Sequence, residues 1–464
     1  MSNRTIGLGL PLDDAWIHQT YARNLVENGE WAFISGQPSS GSTAPLWTVM
    51  LALGRWLGIE PRVWGYFLGY LLLVISTWIT GNWLIQRSGA SNRWWFYTAI
   101  LLALEWHLVW TSVSGMETIA LILLVLSVFF WLDSQNWNSL GMGMLIGLGV
   151  WIRPDALSLL IPVAWCSYFQ NADQFRRTVV RLILVGVGVL IFFGPYLAFN
   201  YSLSNELWPT TFYAKQAEYT IHKECPLVFR FWSQLAPMFA GVSALVVPGL
   251  IPMITNHIRQ RSWWRMAPLI WAVIYVGAYA LRLPVNYQHG RYAIPIIPVV
   301  MVLGIEGIKT WVNPSAESNS KRLLSRTWIL ALPLLTLTFW CLGARAYAQD
   351  VAIIETEMVA ASRWISANTE EEALIAAHDI GALGYYGERT LIDMAGLVSP
   401  EVIPIMRDEG ALAIFLDSRG ADYLMTFPGW YPILVEHGEL IYTTEAPHSI
   451  EAGGENMAVY RWRP

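Results

Sequence analysis

The stretch Arg176-Arg-Thr-Val-Val-Arg-Leu-Ile-Leu-Val-Gly-Val-Gly-Val-Leu-Ile-Phe-Phe-Gly-Pro-Tyr-Leu-Ala-Phe-Asn200 decides the fold class. Past its basic opening, residues 178–200 are almost wholly apolar and long enough to cross a bilayer, which takes about 17–25 residues. Comparable runs occur at about 63–85, 94–110, 115–132, 233–256, 265–283, 291–309 and 327–343. Two shorter runs, 139–152 and 156–170, flank Arg153-Pro154-Asp155. The pattern predicts a polytopic α-helical membrane protein of about ten spans.

Composition agrees. Of 464 residues, 55% are hydrophobic and only 14% charged, with a mean hydropathy of +0.40, where a soluble domain carries about 25% charged residues. Many of the 26 Trp residues stand near run ends, among them Trp94, Trp95, Trp131, Trp151, Trp263 and Trp264, as in the aromatic belts of membrane interfaces. Cys166, Cys225 and Cys341 are odd in number and scattered, which argues against a disulfide framework. The net charge of −5 says little about partners, because the charges are partitioned by side.

Basic residues in short loops set orientation. Arg87 and Arg93, then Arg176, Arg177 and Arg181, then Arg259, Arg261 and Arg265, then Lys309, Lys321, Arg322 and Arg326 mark one set of connections, assigned to the cytoplasm. The stretch before residue 44, the turn 114–117, the hairpin 153–155, the loop 201–232, the segment 284–290 and the tail after 343 then face outward. This topology gathers Asp13-Asp14, Glu117, Arg153-Pro154-Asp155, Lys215, His289 and Arg291 at one membrane face. It also prevents the apolar run 44–59 from being a simple span. That run reads as an interfacial or re-entrant helix pair opened by Pro45. The twelve residues before Asp13 hold neither a signal peptide nor a span, so a preceding first helix is expected, with residues 6–12 as its stub.

Beyond residue 344 period-2 runs alternate with helical ones. Strands are expected at 373–377, 390–394, 423–427, 440–443 and 457–462, with a helix at 350–368 and helices near 400–419. The chain thus divides into a transmembrane catalytic domain, 1–343, with an outer loop at 13–60 carrying interfacial helices, and a small extracytoplasmic α/β domain, 344–464. The tail's loops carry His378-Asp379, Asp393, Gly381 and Gly384, with no phosphate-loop or zinc spacing.

Each outer-face motif admits two readings. Asp13 and Asp14 open a helical segment, where acids favour the helix dipole; in a partly dry cavity one of them is instead a general base with a raised pKa. Adjacent residues lie about 100° apart on a helix, so only one can point into a given cavity. Glu117 also starts a span. Arg153 and Asp155, costly near membrane depth, either pair with each other or serve a site. Trp208-Pro209-Thr210-Thr211-Phe212-Tyr213-Ala214-Lys215 supplies aromatics, hydroxyls and a cation suited to a sugar ring, and an amphipathic interfacial segment looks much the same. Arg291, in His289-Gly290-Arg291-Tyr292, either forks onto phosphate or snorkels to the headgroups.

The order of Asp13-Asp14-Ala15, Gly41-Ser42-Thr43-Ala44-Pro45-Leu46-Trp47, Ser114-Gly115-Met116-Glu117-Thr118, Arg153-Pro154-Asp155, Pro209 to Lys215 and Arg291-Tyr292 resembles the GT-C class of integral-membrane glycosyltransferases. The resemblance spans roughly residues 13–300. Within the class it looks closest to the bacterial branch with mycobacterial-type terminal arabinofuranosyltransferases. It is more distantly similar to protein mannosyltransferases and lipid A aminoarabinose transferases. The family's first transmembrane helix is expected ahead of residue 6.

The resemblance implies transfer of a pentosyl or hexosyl group from a polyprenyl-phosphate-linked donor to a cell-envelope glycan, lipid or protein at the outer face of the plasma membrane. It implies an acidic base at Asp13 or Asp14, with Asp13 preferred, and donor-phosphate contacts at Arg291 and Lys215. Glu117, Arg153, Asp155, Tyr213, His289 and Tyr292 are the expected substrate-binding or site-supporting residues. In-line displacement would invert the anomeric centre. A divalent metal at the two acids is compatible with this chemistry, though no sequence feature demands one. The implied partners are the lipid-linked sugar, its acceptor and the bilayer, with no nucleic acid. Two rivals are a transporter or flippase, which predicts charges at mid-bilayer depth and internal repeats, and a non-catalytic envelope-assembly subunit.

Overall fold

A computed structural model describes residues 7–170, 174–312 and 318–463. Ile6, first residue of the stretch read as a helix stub, lies outside them. Residues 7–12 are not helical. Residues 9–12 are buried, with Leu10 and Leu12 in the core and Gly9 O accepting hydrogen bonds from Tyr66 and Tyr347.

Helix α1 (Asp13–Glu27) follows, then a two-stranded hairpin, β1 (Ala32–Ile34) and β2 (Gln37–Pro38), and α2 (Pro45–Trp56), which starts with Pro45 in its first turn. The run at 44–59 is therefore one helix rather than a pair. Its Val49, Leu53 and Trp56 are exposed, as an interfacial helix requires. Helix α3 (Pro61–Ser88) is long because both ends are specified. Glu60 accepts from Val63 N–H, and Gly89 adopts the left-handed conformation that closes a helix.

The next apolar run is broken into α4 (Asn92–Ala103) and α5 (Trp106–Ser112). Glu105 breaks it, because its carboxylate caps the His107 and Leu108 N–H groups. Helices α6 (Thr118–Asp133) and α7 (Ser139–Val150) are short and apolar. Helix α8 (Leu160–Gln170) precedes α9 (Phe175–Ser204). Gly143 and Gly147 let α7 lie directly on α9, for a Cβ at either position would overlap the Val185 or Val189 carbonyl. This is the small-residue spacing by which apolar helices pack without a hydrophobic drive.

Helix α10 (Thr210–Glu218) lies in the following connection. Helices α11 (Leu227–Phe239) and α12 (Leu250–Arg259) belong to a pair bent by 102° around Gly241. Then come α13 (Ala267–Arg282), α14 (Ile297–Ile308) and α15 (Asn319–Ile354), the last running through a π turn into α16 (Ala360–Asn368). Among the described residues, five helices are long and apolar enough to cross a membrane, or six if the bent pair counts as one span. The ten or so runs seen in the sequence include broken and short helices, which periodicity does not separate from full spans.

At one end of the bundle the basic connections converge. Buried Arg87 bonds Glu306 at 2.5 Å and Asp133 at 3.1 Å, and His257 Nε2 lies 2.9 Å from the same Glu306. At the other end stands a five-stranded sheet of β3 (Leu374–Ala377), β4 (Thr390–Asp393), β5 (Tyr423–Thr426), β6 (Gly438–Thr443) and β7 (Ala458–Trp462), in the order β4-β3-β5-β7-β6. Strands β4, β3 and β5 are mutually parallel, whereas β7 is antiparallel to both its neighbours. Alternate residues take opposite faces. Ile375 and Ala377 join a core with Leu10, Trp16 and Tyr21, while Ala376 and Leu424 face Leu412 and Leu416 of α17 (Glu409–Arg419). The N-terminal segment and the sheet thus share one core.

The architecture is that of a polytopic α-helical membrane protein with a small C-terminal α/β unit.

Candidate active site

Asp13 and Asp14 are neighbours on α1, and helical geometry turns their carboxylates apart. Asp13 faces the α/β unit: Oδ2 accepts from Gly381 N–H and Oδ1 from Ala382 N–H, each at 2.7 Å. Gly381 carries no side chain because a Cβ there would overlap the Asp13 carbonyl. Burial and the nearby charge of Asp379 push Asp13 up to about 8, against the pull of those two N–H groups. Asp14 points the other way, and its Oδ2 accepts from Arg291 Nη2 at 2.5 Å and Lys215 Nζ at 3.4 Å. Burial works to raise the Asp14 carboxyl, but Lys215 and Arg291 outweigh it and hold it well below the usual carboxylate range.

The cations are placed by specific anchors. Thr210 and Thr211 in the first turn of α10 donate to the carbonyls of Leu397 and Gly41, and Thr210 N–H donates to Ser40 Oγ at 3.2 Å. These bonds fix the helix that carries Lys215 against the loop before α2. Arg291 stands just past Gln288, His289 and Gly290, all at positive φ, and bonds Tyr292 Oη at 3.1 Å. Its Nη1 is buried and has no protein partner.

A second charged group lies beside this triad. Arg153 bonds Glu117 at 3.3 Å, Asp155 at 3.2 Å and Tyr279 at 2.8 Å, while Asp155 Oδ2 accepts from Tyr275 and Tyr279 at 2.7 and 2.6 Å. Glu117 Oε2 lies 3.4 Å from His18 Nε2, without hydrogen-bond alignment. Burial raises Glu117, yet His18 and Arg153 bring it down to about 2. The pairing of Arg153 with Asp155, one of the two readings of the hairpin, is present within a larger network.

Two cavities meet at Asp14. The larger, ≈ 750 Å³, reaches Glu218, Tyr219, His378, Asp379, Trp430 and Tyr431 of α10 and the α/β unit. The smaller, ≈ 470 Å³, reaches Glu117, Arg153, Asp155, Trp208, Phe212 and Arg282. Asp14, Ile17, Lys215, Arg291, Tyr292 and Leu397 line both. The ion-paired triad is therefore the partition between two chambers.

The sequence-predicted residues divide accordingly. Asp14, Lys215, Arg291, Tyr292, Glu117, Arg153 and Asp155 line one or both cavities, and Asp13 lines the larger one. Tyr213 lines neither; on α10 it is Thr211, Phe212, Lys215 and Gln216 that face the smaller cavity. His289 lines neither as well. It bonds Asp350 Oδ2 at 2.8 Å and packs against Trp106 and Trp110. Sequence reasoning missed His18, Glu218, Tyr275 and Tyr279. His18, four residues after Asp14, shares its helical face, so that spacing was a usable signal.

The protein has the fold of the GT-C glycosyltransferases AglB and ArnT. Structural likeness covers nearly the whole chain. ArnT from Cupriavidus metallidurans bound to undecaprenyl phosphate is 14% identical with a TM-score of 0.58, over 97% of this chain and 94% of that one. The Archaeoglobus fulgidus oligosaccharyltransferase AglB, in complex with an inhibitory peptide and a dolichol-phosphate, is 12% identical with a TM-score of 0.61, over 94% and 69%. The same oligosaccharyltransferase in complex with Zn and sulfate is 13% identical with a TM-score of 0.62, over 95% and 69%. Residues 345–460 match a family described as a domain of unknown function, DUF8728. No curated protein sequence matches the chain.

The two acids are already partnered in this structure, while a structure of similar fold is in complex with Zn. Asp13 is spent on backbone N–H groups, Asp14 is flanked by two cations, and among the described residues no three His, Cys, Asp or Glu converge as a metal site.

Proposed function

We propose that the protein is a glycosyltransferase of the plasma membrane that moves a sugar from a polyprenyl-phosphate donor to a cell-envelope acceptor at the outer face. The observation that carries this reading is the placement of Asp14, Lys215 and Arg291 on the wall shared by two cavities. Likeness to proteins solved with undecaprenyl phosphate and dolichol-phosphate supports a lipid phosphate as the leaving group. The order of motifs supports the bacterial branch with terminal arabinofuranosyltransferases, and the donor sugar, pentose or hexose, is what the assay must read.

The smaller cavity suits the donor. Its Arg282 and Arg291, with Lys215, offer positive charge, and Met116, Trp208, Phe212 and Leu283 supply an apolar wall. Arg291 Nη1, unpartnered, is free to fork onto a phosphate oxygen. The incoming phosphate competes with Asp14 for the two cations. As it takes them, the pull that depresses Asp14 weakens and its basicity rises, so donor binding itself arms the base.

The acceptor oxygen then bonds to the anomeric carbon from the larger cavity. The carbon–oxygen bond to phosphate breaks, its electron pair passes to the phosphate oxygen, and the hydroxyl proton passes to Asp14. Arg291 and Lys215 meet the charge that develops on the phosphate. Displacement across the partition inverts the anomeric centre. Asp13, preferred from the sequence, is held away from this line by Gly381 and Ala382 and serves to dock the α/β unit. Glu117, His18, Arg153 and Asp155 brace the donor chamber.

The test is a panel of polyprenyl-phosphate pentoses and hexoses presented to the purified protein with envelope extract, following release of polyprenyl phosphate and the product's anomeric configuration by NMR. Consumption of one donor with inversion is expected. No consumption of any donor by folded protein, or retention of configuration, overturns the reading.

A further inference from the structure

Resting on the transferase reading above, we propose that Asp379 and Trp430 form an acceptor subsite that takes a neutral, polyhydroxylated glycan. The placement follows from sheet topology. Strand β3 is central, the chain leaves it first for β4 on one side and then returns to β5 on the other, and all three are parallel. A crevice at the carboxyl ends of such strands, where the order reverses, is where open α/β sheets bind ligands. His378 and Asp379 immediately follow β3, and Trp430 and Tyr431 follow β5. All four line the larger cavity, as does Asp14.

The chemistry of this wall selects hydroxyl donors. Asp379 Oδ2 is buried and has no protein partner, and an acceptor-only group in that position calls for a ligand rich in O–H. Trp430 is 51% exposed, with its indole set against His378 and Phe427 at 5.1 Å between ring centroids. It is a braced apolar plate at the cavity mouth, suited to the C–H face of a sugar ring. His378 is itself fixed, with Nδ1 2.7 Å from Tyr431 Oη and Nε2 3.6 Å from Glu218. Away from the shared partition, Glu218, Asp379 and Glu409 outnumber Arg407 and disfavour phosphate on this wall, whereas the smaller cavity adds Arg153 and Arg282 to the partition's Lys215 and Arg291. A volume of ≈ 750 Å³ falls within the range of about 300–1,000 Å³ typical of small-molecule sites.

The full chain in lipid nanodiscs is titrated with neutral oligosaccharides of glucose, mannose, galactose and arabinose and, separately, with uncharged peptides of similar mass, read by saturation-transfer NMR. Binding of at least one oligosaccharide is expected, weakened tenfold or more by both the near-isosteric Asp379→Asn and by Trp430→Ala. Arg419→Ala, outside the cavity, is the control, and thermal unfolding checks that each variant is folded. Absence of oligosaccharide binding, binding indifferent to both substitutions, or peptide binding that depends on Asp379 overturns the proposal. If oligosaccharides fail to bind while a lipid-linked sugar is still consumed, this inference alone falls. If they bind and no lipid-linked sugar is consumed, the transferase reading alone falls.

Discussion

Asp14 and Arg291 are 277 positions apart in sequence, yet Oδ2 of one lies 2.5 Å from Nη2 of the other, at the meeting of the two cavities. The adjacent Asp13 is bound instead to the backbone of Gly381 and Ala382. Two successive carboxylates thus face opposite ways, which on the proposed reading divides the work between chemistry and docking.

Docking through Asp13 should be sensitive to pH. Its carboxyl rises from an ordinary 3.8 to about 8 in the folded protein, through burial and the charge of Asp379, and Asp379 rises from 3.8 to about 6. An acid with a raised folded pKa contributes stability that is complete below its unfolded value and lost as pH climbs through the folded value. Protection of the 344–463 unit from protease is therefore expected to decline between pH 4 and 8. Asp13→Asn flattens that decline. Asp14 and Glu117, both lowered, act in the opposite sense and cost stability only as pH falls below about 4.

Arg291→Lys keeps the charge but loses the planar fork. The expected result is a fall in kcat of about 10²-fold, the scale set by losing one charge-stabilising donor. Lys215→Met is expected to raise the donor KM more than it lowers kcat, since its contact with Asp14 is the longer one, at 3.4 Å against 2.5 Å. Steady-state kinetics over donor concentration separates the two.

Removing Arg153 strands Glu117 and Asp155 in the interior. Breaking such a buried pair costs about 3–5 kcal/mol, so Arg153→Met is expected to unfold at lower denaturant concentration. Adding Glu117→Gln should recover part of the loss. A double-mutant cycle yielding no coupling would show the two residues to be independent.

Gly381→Ala places a methyl group against the Asp13 carbonyl. The α/β unit is expected to loosen while the apolar helices stay folded, read as selective proteolysis beyond residue 344 with unchanged helical circular dichroism.

Much of this was legible in the sequence because its signals are local. The strand patterns at 373–377, 390–394 and 423–427 match β3, β4 and β5 within one residue at each end. The motif Pro209 to Lys215 was noticed as a unit, and the structure gives its two Thr a concrete task. Span counting was less secure. A cap at Glu105 and a bend at Gly241 divide apolar runs without interrupting their hydropathy, and these two breaks lie side by side, with Trp106 Nε1 donating to Ala240 O. Which partners Asp13 and Asp14 take was not legible, for those partners lie some 200 to 370 residues away. His289 looked like a site residue by proximity to Arg291, but three positive-φ residues turn the chain there and send it toward Asp350.

The most direct test compares Asp14→Asn with Asp13→Asn for transfer from the one lipid-linked donor that the wild type consumes. Asp14→Asn is expected to lose about 10²–10⁴ in kcat, the contribution of a general base, with Asp13→Asn within about tenfold of wild type. Full transfer by Asp14→Asn, or a loss confined to Asp13→Asn, would contradict the assignment of the base.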